Sequence, residues 1–113
     1  MDEYHLKALK ILEENPAVSQ RHLAKELNLS LGKANFIINA LIQEGYLKAK
    51  RFKNSTTKRA YIYYLTPEGF KKKIDLTYQF LKMKSLEFEQ LRREIQTLEQ
   101  EIKDLNIPSK PQT

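Results

Sequence analysis

Two helix starts that lie only eleven residues apart constrain this chain more than any other feature. Ser19 and Ser30 each precede an apolar-periodic run, where a serine hydroxyl can accept hydrogen bonds from the free N–H groups of a helix's first turn. The intervening helix must be short, and its inner face contains Leu23, Ala24 and Leu27. Asn28 tolerates the left-handed backbone of a helix exit, and a tight turn follows. Residues 19–44 therefore predict a helix-turn-helix.

The second of these helices divides into an apolar and a polar face when residues are placed about 100° apart. The apolar face contains Leu31, Ala34, Ile37, Ile38 and Leu41. The polar face contains Gly32, Lys33, Phe36, Asn39 and Gln43, with Asn35 on its shoulder. This face has no carboxylate before Glu44, so it suits base edges in a major groove, which offer both donors and acceptors. We interpret it as a recognition helix; the alternative is a solvated face with one ordinary exposed phenylalanine.

The net charge of +6 is concentrated around this segment. Residues 19–66 carry nine basic and two acidic side chains, a net of +7, whereas residues 1–18 carry two against four and residues 67–113 nine against eight. A basic segment that coincides with a helix-turn-helix is the pattern expected of a protein that binds the phosphate backbone of double-stranded DNA. Basic charge alone would also fit a solvated face or an anionic membrane surface.

Composition excludes several classes of protein. The 113 residues include no cysteine, so disulfides and thiolate chemistry are excluded. No run of 18 apolar residues and no signal-peptide pattern occurs, so we expect a cytoplasmic protein without a membrane partner. No phosphate loop, metal-ligand cluster or nucleophile-base constellation is present, which predicts no enzyme activity and no cofactor. His5 and His22 are interpreted as packing residues rather than metal ligands.

The amino-terminal region predicts a further helix. Residues 2–15 have an apolar face formed by Tyr4, Ala8, Leu9, Ile11 and Leu12. This helix should end before Pro16, because the residue that precedes a proline resists the α conformation. Ala17 and Val18 could add a very short strand.

A hairpin is predicted after Gly45, a residue suited to the position just past a helix end. Residues 46–53 and 59–65 are rich in aromatic or β-branched residues and approximately alternate, with a turn-prone segment between them. Basic residues surround its tip: Lys50, Arg51, Lys53, Lys58 and Arg59. They suit phosphate contacts, although edge strands also collect lysines to avoid aggregation. A helix-turn-helix followed by such a hairpin is a winged helix, so the predicted fold class is mainly α with a small β-hairpin wing.

These elements give two groups of candidate DNA contacts. The base-reading candidates are Lys33, Asn35, Phe36, Asn39 and Gln43. The candidates for contact with the DNA backbone are Gln20, Arg21, Ser30, Lys53, Lys58 and Arg59.

A long helix should follow Thr66, which can cap it, and Pro67, whose fixed φ suits the first helical position. Helix as far as Leu105 would extend about 58 Å. Apolar residues recur there at alternating spacings of three and four: Phe88, Leu91, Ile95, Leu98, Ile102 and Leu105. This heptad pattern favours a two-stranded coiled coil and hence a homodimer, although the flanking charges fit either strand orientation. The predicted organisation is 1–66 winged helix, 67–105 dimerisation helix and 106–113 flexible tail.

Three phrases of the sequence resemble a known family, the short MarR-type winged-helix proteins called EPS-associated transcriptional regulators. They are LAKELNLSLGKANFIINALIQEG (23–45), FKNSTTKRAYIYYLTPEG (52–69) and FLKMKSLEFEQLRREI (80–95). The resemblance implies a bacterial DNA-binding transcription regulator found with exopolysaccharide biosynthesis genes. Larger MarR proteins have further dimerisation helices that this sequence does not show, so a small-molecule effector is left open.

We therefore expect a homodimeric, sequence-specific DNA-binding regulator that recognises an inverted repeat. The alternative is a winged helix used for protein interaction, with the coiled-coil helix bound to a different protein.

Overall fold

The computed structural model describes residues 1–52 and 60–106. Four helices and one hairpin follow in the order α1 (Glu3–Glu14), α2 (Gln20–Leu27), α3 (Leu31–Gln43), β1 (Leu47–Phe52), β2 (Ala60–Leu65) and α4 (Pro67–Asp104). The predicted class, mainly helical with a β-hairpin wing, is confirmed. By their internal packing the residues divide into an N-terminal unit, Met1–Tyr78, and a C-terminal unit, Gln79–Thr113.

The core of the N-terminal unit lies where α1, α2 and α3 pack on one another and the hairpin packs on α1 and α3. Its largest fully buried side chains are Leu9, Leu12, Leu23, Ile38, Leu41 and Leu76. These residues come from all of its helices, so no single helix could bury its apolar face alone. Every buried hydrophobic side chain in the described residues belongs to this unit.

Both helices of the helix-turn-helix begin and end as their sequence predicts. The hydroxyl groups of Ser19 and Ser30 accept from backbone N–H groups three residues later, at 3.0 and 3.2 Å. Asn28 has φ 57° and Gly45 has φ 80°, so each helix exits through a left-handed residue. The N–H of the next residue then bonds a carbonyl five positions earlier, Leu29 to Ala24 and Tyr46 to Leu41, both at 2.9 Å. This closure satisfies terminal carbonyls and fixes the turn.

Two positions that the periodicity assigned to inner faces are exposed instead. Tyr4 and Leu31 each lie near the start of a helix and are 41% and 45% exposed. Leu6, which was not assigned to the apolar face of α1, is buried. Tyr4 and Leu6 lie toward opposite edges of the α1 stripe, where the neighbouring elements rather than the period decide which side chain is covered.

The wing is an antiparallel pair in which Leu47 lies opposite Leu65 and Arg51 opposite Tyr61. Ala17 and Val18 do not form the short strand that the sequence suggested; Pro16 and Ala17 lie in a turn and Val18 is buried. The carbonyl of Pro16 nevertheless accepts a hydrogen bond from the N–H of Tyr63 at 3.0 Å, which ties this turn to β2.

The first turns of α4 pack within the N-terminal unit. Gly69 and Leu76 are buried, and Lys72 and Lys73, on the same side of the helix, are half-buried. The ammonium group of Lys73 donates to the Glu13 carboxylate of α1 at 2.5 Å. Another side of α4 carries Phe70 and Ile74, which begin the same alternating spacing of four and three that leads to Phe88, and it stays exposed. The helix therefore has two faces with different roles, of which the heptad pattern predicted one.

The C-terminal unit, described as far as residue 106, consists of the remaining turns of α4. Its heptad residues Phe88, Leu91, Ile95, Leu98, Ile102 and Leu105 are all between 47% and 68% exposed. No side chain in its described part is buried. A single chain thus leaves the complete apolar stripe in water.

Candidate nucleic-acid interface

The outward face of α3 is the central feature of the candidate site. Its five predicted base-reading residues are all exposed: Lys33, Asn35, Phe36, Asn39 and Gln43. Phe36 is 72% exposed, the highest value among the large apolar side chains described. On the opposite side of the helix Ala34, Ile37, Ile38 and Leu41 are buried, so the core fixes which residues α3 presents outward.

Two asparagines on this face bond to each other. The Asn39 Nδ2 donates to the Asn35 Oδ1 at 3.1 Å, one helical turn away. Each amide keeps polar atoms that this bond does not use, because an asparagine has two N–H donors and a carbonyl acceptor with two lone pairs. The pair can therefore offer both a donor and an acceptor to a base edge while each side chain restrains the other.

The predicted backbone contacts near the helix starts occupy different environments. Arg21 and Ser30 are exposed, and the Ser30 oxygen accepts from the N–H of Lys33 while its own O–H can still donate outward. Gln20 is half-buried, and its Nε2 donates to the Tyr63 hydroxyl of the wing at 2.9 Å. Gln20 is thus positioned by a residue 43 places away in the chain.

Tyr63 is a residue that the sequence did not single out as a candidate for the site. It is buried, its ring lies 6.2 Å from that of Tyr61, and its hydroxyl and N–H bond Gln20 and Pro16 respectively. It therefore connects the wing to the start of α2. The run of tyrosines in β2 hinted at packing, but nothing local in the sequence pairs Tyr63 with Gln20.

Positive charge dominates the described part of this surface. Residues 19–52 and 60–66 contain six basic and two acidic side chains, a net of +4. Lys48, Lys50 and Arg51 of β1 are exposed. Of the two acidic residues, Glu26 has a carboxylate oxygen 3.1 Å from Nε2 of His22, and Glu44 lies at the end of α3. The predicted backbone contacts Lys53, Lys58 and Arg59 lie outside the described residues.

The two histidines have polar roles at the surface. His22 is exposed beside Glu26, so its interpretation as a packing residue is wrong. His5 is mostly covered, and its Nδ1 lies 3.2 Å from the Asp2 backbone nitrogen and 2.8 Å from its carboxylate. This reciprocal arrangement caps α1. Partial burial raises the pKa of the Asp2 carboxyl, but hydrogen bonds from His5 and from the backbone of Tyr4 hold it below its ordinary value.

Two searches of the described residues address other kinds of site. No group of three or more histidine, cysteine or carboxylate side chains there could hold a metal ion. None of the helices in that part of the chain is both long and apolar enough to cross a membrane.

Comparison with known proteins assigns the first part of the chain to a family of domains. Residues 1–48 match the family described as "Winged helix-turn-helix DNA-binding". This match covers α1, the helix-turn-helix and the start of β1. No curated protein matches the sequence.

Solved structures resemble almost the whole chain. A MarR transcriptional regulator from Methanosarcina mazei is 26% identical, with a TM-score of 0.60 over 91% of this chain and 75% of that one. A PadR-like transcriptional regulator from Bacillus cereus is 15% identical, with a TM-score of 0.67 over 77% and 89%. FabT from Streptococcus pneumoniae, solved in complex with DNA, is 18% identical, with a TM-score of 0.56 over 93% and 78%.

These likenesses agree with the geometry described above: an outward-facing α3, a hairpin wing and a long final helix. Residues 1–48 therefore match a winged helix-turn-helix DNA-binding domain, and the described residues have the winged-helix fold, as solved MarR and PadR-like transcriptional regulators do.

Proposed function

We propose that this protein is a sequence-specific DNA-binding transcription regulator that binds an inverted repeat as a homodimer. The observation that carries the proposal is the outward face of α3, where five polar or aromatic side chains are exposed without a carboxylate among them. In a helix-turn-helix the second helix enters the major groove and its outward side chains reach the base edges. Lys33, Asn39 and Gln43 offer donors, and the Asn and Gln carbonyls offer acceptors.

The wing supplies the sequence-independent part of binding. Lys48, Lys50 and Arg51 of β1 are exposed, and Lys53, Lys58 and Arg59 follow them in the sequence. Lysine and arginine contacts to phosphates position a protein on the duplex without reading sequence. Arg21 and the Ser30 hydroxyl, at the starts of α2 and α3, are exposed, which supports the same role for them.

The homodimer rests on the heptad stripe of the C-terminal unit. Six large apolar side chains per chain lie on one face of α4, about half exposed or more. At about 1.5–3 kcal/mol for each fully buried side chain, covering them offers at most ~9–18 kcal/mol per chain, or twice that for the pair, against an association cost of ~4–15 kcal/mol for the pair. Two chains joined in this way would place two recognition helices on one face of the duplex, about 34–36 Å or a multiple apart.

The same stripe would fit a different protein, which keeps the interaction module as the second candidate. DNA binding separates the two. The test is a titration of a random-sequence duplex at two salt concentrations, followed by selection of a preferred sequence from a random library.

A regulator should bind random DNA, and the logarithm of its binding constant should fall linearly with the logarithm of the salt concentration. The slope should be about −0.9 for each phosphate contact. The selected sequence should bind at least ~10³-fold more tightly than random duplex and should be an inverted repeat. No binding to either duplex at low salt would favour the interaction module. A protein with Gln96→Ala, an exposed position outside the heptad stripe, serves as the matched control and should bind like the wild type.

The target genes are proposed from the sequence resemblance: genes of exopolysaccharide biosynthesis. A genome-wide map of bound sites in cells tests this directly. We expect the strongest sites upstream of such genes, each containing the inverted repeat selected in vitro. Strong sites upstream of other genes, with the same repeat, would support the DNA-binding regulator but reject exopolysaccharide biosynthesis genes as its targets.

A further inference from the structure

The turn that follows the recognition helix contacts the start of the long final helix at a junction formed by Gly45, Tyr46, Thr66 and Gly69. On the side of α3, the left-handed Gly45 donates its N–H to Ile42 at 3.0 Å, and Tyr46 donates to Leu41 at 2.9 Å. These bonds close α3 and turn the chain into β1. They leave the carbonyl groups of Gly45 and Tyr46 to find other donors.

Thr66, the residue before α4, satisfies both carbonyls. Its hydroxyl donates to the Gly45 carbonyl at 2.5 Å, and its N–H donates to the Tyr46 carbonyl at 3.1 Å. The same hydroxyl oxygen accepts from the N–H of Gly69 at 3.0 Å, as an N-cap does for a helix's first turn. One threonine therefore caps α4 and bonds it to the two residues that follow α3 and its C-cap.

Gly69 permits this approach because it has no side chain. A Cβ at this position would overlap the carbonyl oxygen of Tyr46 and lie 3.0 Å from its carbonyl carbon. The obstacle is backbone, held in place by the bonds to Thr66 and Leu41, so no side chain can turn aside to make room. Gly69 lies inside a helix and has no positive φ, so the requirement for glycine is steric.

We propose that this junction sets the half-site spacing that the protein accepts in its operator, with Gly69 as the position that determines this specificity. The inference rests on the proposed homodimer. If two chains pair through α4, each α3 is linked to its own α4 through β1, β2 and this junction, where the start of α4 is bonded directly to the turn that ends α3. A movement at the junction changes how far apart and at what rotation the two α3 helices meet the DNA.

The duplex makes this readout sensitive. Each base pair added between half-sites moves them apart by about 3.4 Å and also rotates one relative to the other, since a full turn takes about 10–10.5 base pairs. A rigid junction should therefore accept one spacing well. A displaced junction should prefer another spacing, and a loosened one should discriminate less.

The test uses duplexes with two copies of the half-site selected from a random library, arranged as inverted repeats whose spacing increases by one base pair at a time. The wild type should show one optimum and lose about tenfold or more one base pair to either side, because the duplex must then be deformed. Gly69→Ala should shift this optimum by at least one base pair or flatten it to less than about threefold. Its affinity for a single half-site and its dimerisation should stay unchanged.

Two further variants make the result specific. Thr66→Val keeps the shape and the backbone N–H but removes the hydroxyl that bonds Gly45 and Gly69, so it should broaden the spacing profile without displacing α4. Glu68→Gln changes an exposed neighbour in the same helical turn and should leave the profile unchanged. If Gly69→Ala does not fold, the Thr66→Val profile decides.

The role of the junction would be overturned if the wild type dimerises and shows a sharp spacing optimum, and Gly69→Ala or Thr66→Val has the same spacing profile. The proposed function would then remain intact. A wild type that binds single half-sites as tightly as inverted repeats would instead reject the homodimeric function on which the inference rests.

Discussion

The two units of the molecule use apolar residues in opposite ways. In the N-terminal unit, Leu9, Leu12, Leu23 and Leu41 are completely buried, and the side chains presented outward on α3 are mainly polar. In the described part of the C-terminal unit no side chain is buried, and six large apolar ones lie exposed along one face. The first unit therefore has its own hydrophobic core, whereas the described part of the second has an apolar stripe that nothing in that part covers.

This difference separates the origins of stability in one chain. A unit with an internal core should unfold independently of protein concentration, whereas a helix whose apolar face is covered by a second chain should depend on concentration. All six tyrosines lie in residues 1–78 and the sequence has no tryptophan. Intrinsic tyrosine fluorescence therefore reports on the N-terminal unit alone, which makes the contrast measurable.

The largest effect should come from placing charge in the stripe. Ile95→Asp with Leu98→Asp would bury four carboxylates per dimer. Their desolvation should cost more free energy than the remaining apolar contacts of the heptad stripe provide. The double variant should be monomeric by sedimentation, its tyrosine fluorescence should be native, and its operator affinity should fall by orders of magnitude, because one half-site's contacts remain. Gln96→Asp with Gln100→Asp adds the same charge at exposed positions outside the stripe and should stay dimeric.

Sedimentation of the wild type comes first. A monomer at tens of micromolar would refute the dimer, and a monomeric double variant with undiminished operator affinity would refute the link between pairing and binding.

The next effect sharpens the comparison by making the same substitution in each unit. Leu41 is completely buried and Leu98 is 58% exposed. Leu41→Ala should lower the free energy of unfolding reported by tyrosine fluorescence by about 2–5 kcal/mol at every protein concentration. Leu98→Ala should leave that transition unchanged and weaken the dimer instead. Equal effects of both variants on the tyrosine transition would show that the units do not unfold separately.

The sequence predicted those features that depend on neighbouring residues. The caps at Ser19 and Ser30, the left-handed exit at Asn28, the helix end at Gly45 and the presence of the hairpin arise from local backbone chemistry, and the structure confirms them. The outward face of α3 also follows from helical period, because its opposite face is strongly apolar.

Tertiary contacts decided the rest. Gly69 and Leu76 are buried on a second face of α4. The sequence did not reveal this face, because two residues seven apart are too few to define one beside the longer heptad pattern. Gln20 and Tyr63 are bonded across 43 residues, and no local pattern indicates such a pair. Leu31 is exposed although its period places it inside, because none of the elements described in residues 1–52 and 60–106 covers it at the first turn of α3.

Within the N-terminal unit, substitutions on α3 should alter sequence readout without altering assembly. Asn39→Ala or Asn35→Ala should cost about 1–3 kcal/mol on the selected operator and much less on random DNA, because only base-edge contacts are lost. Since the two amides share a hydrogen bond, the double variant should cost less than the sum of the single ones. Competition binding on both duplexes measures these values. Equal losses on both DNAs, with native tyrosine fluorescence, would assign the asparagines to structure.

Wing substitutions should produce the complementary pattern. Lys53→Ala, Lys58→Ala or Arg59→Ala should weaken binding to all sequences similarly and reduce the salt slope by about one unit each, because each removes one phosphate contact. Binding at three or more salt concentrations gives the slope. Lys103→Ala, an exposed lysine of the C-terminal unit, should leave the slope unchanged. A loss limited to one operator base pair would show that the wing residue reads sequence instead.

The smallest effect concerns the cap of α1, at the edge of the N-terminal core. Asp2 accepts from the N–H groups of Tyr4 and His5 at 2.9 and 3.2 Å, so Asp2→Ala should lower the unfolding free energy by about 1 kcal/mol at neutral pH. Because the folded-state pKa of Asp2 is lowered from 3.8, the stabilisation by its carboxylate is present above that value and is lost as pH falls through the folded-state pKa. The difference in unfolding free energy between wild type and Asp2→Ala should therefore become smaller in acid. Asp2→Asn offers the same acceptor without titrating, so its advantage over Asp2→Ala should not change across this range; a wild-type gap that is equally flat would show that the charge of Asp2 contributes nothing to the cap.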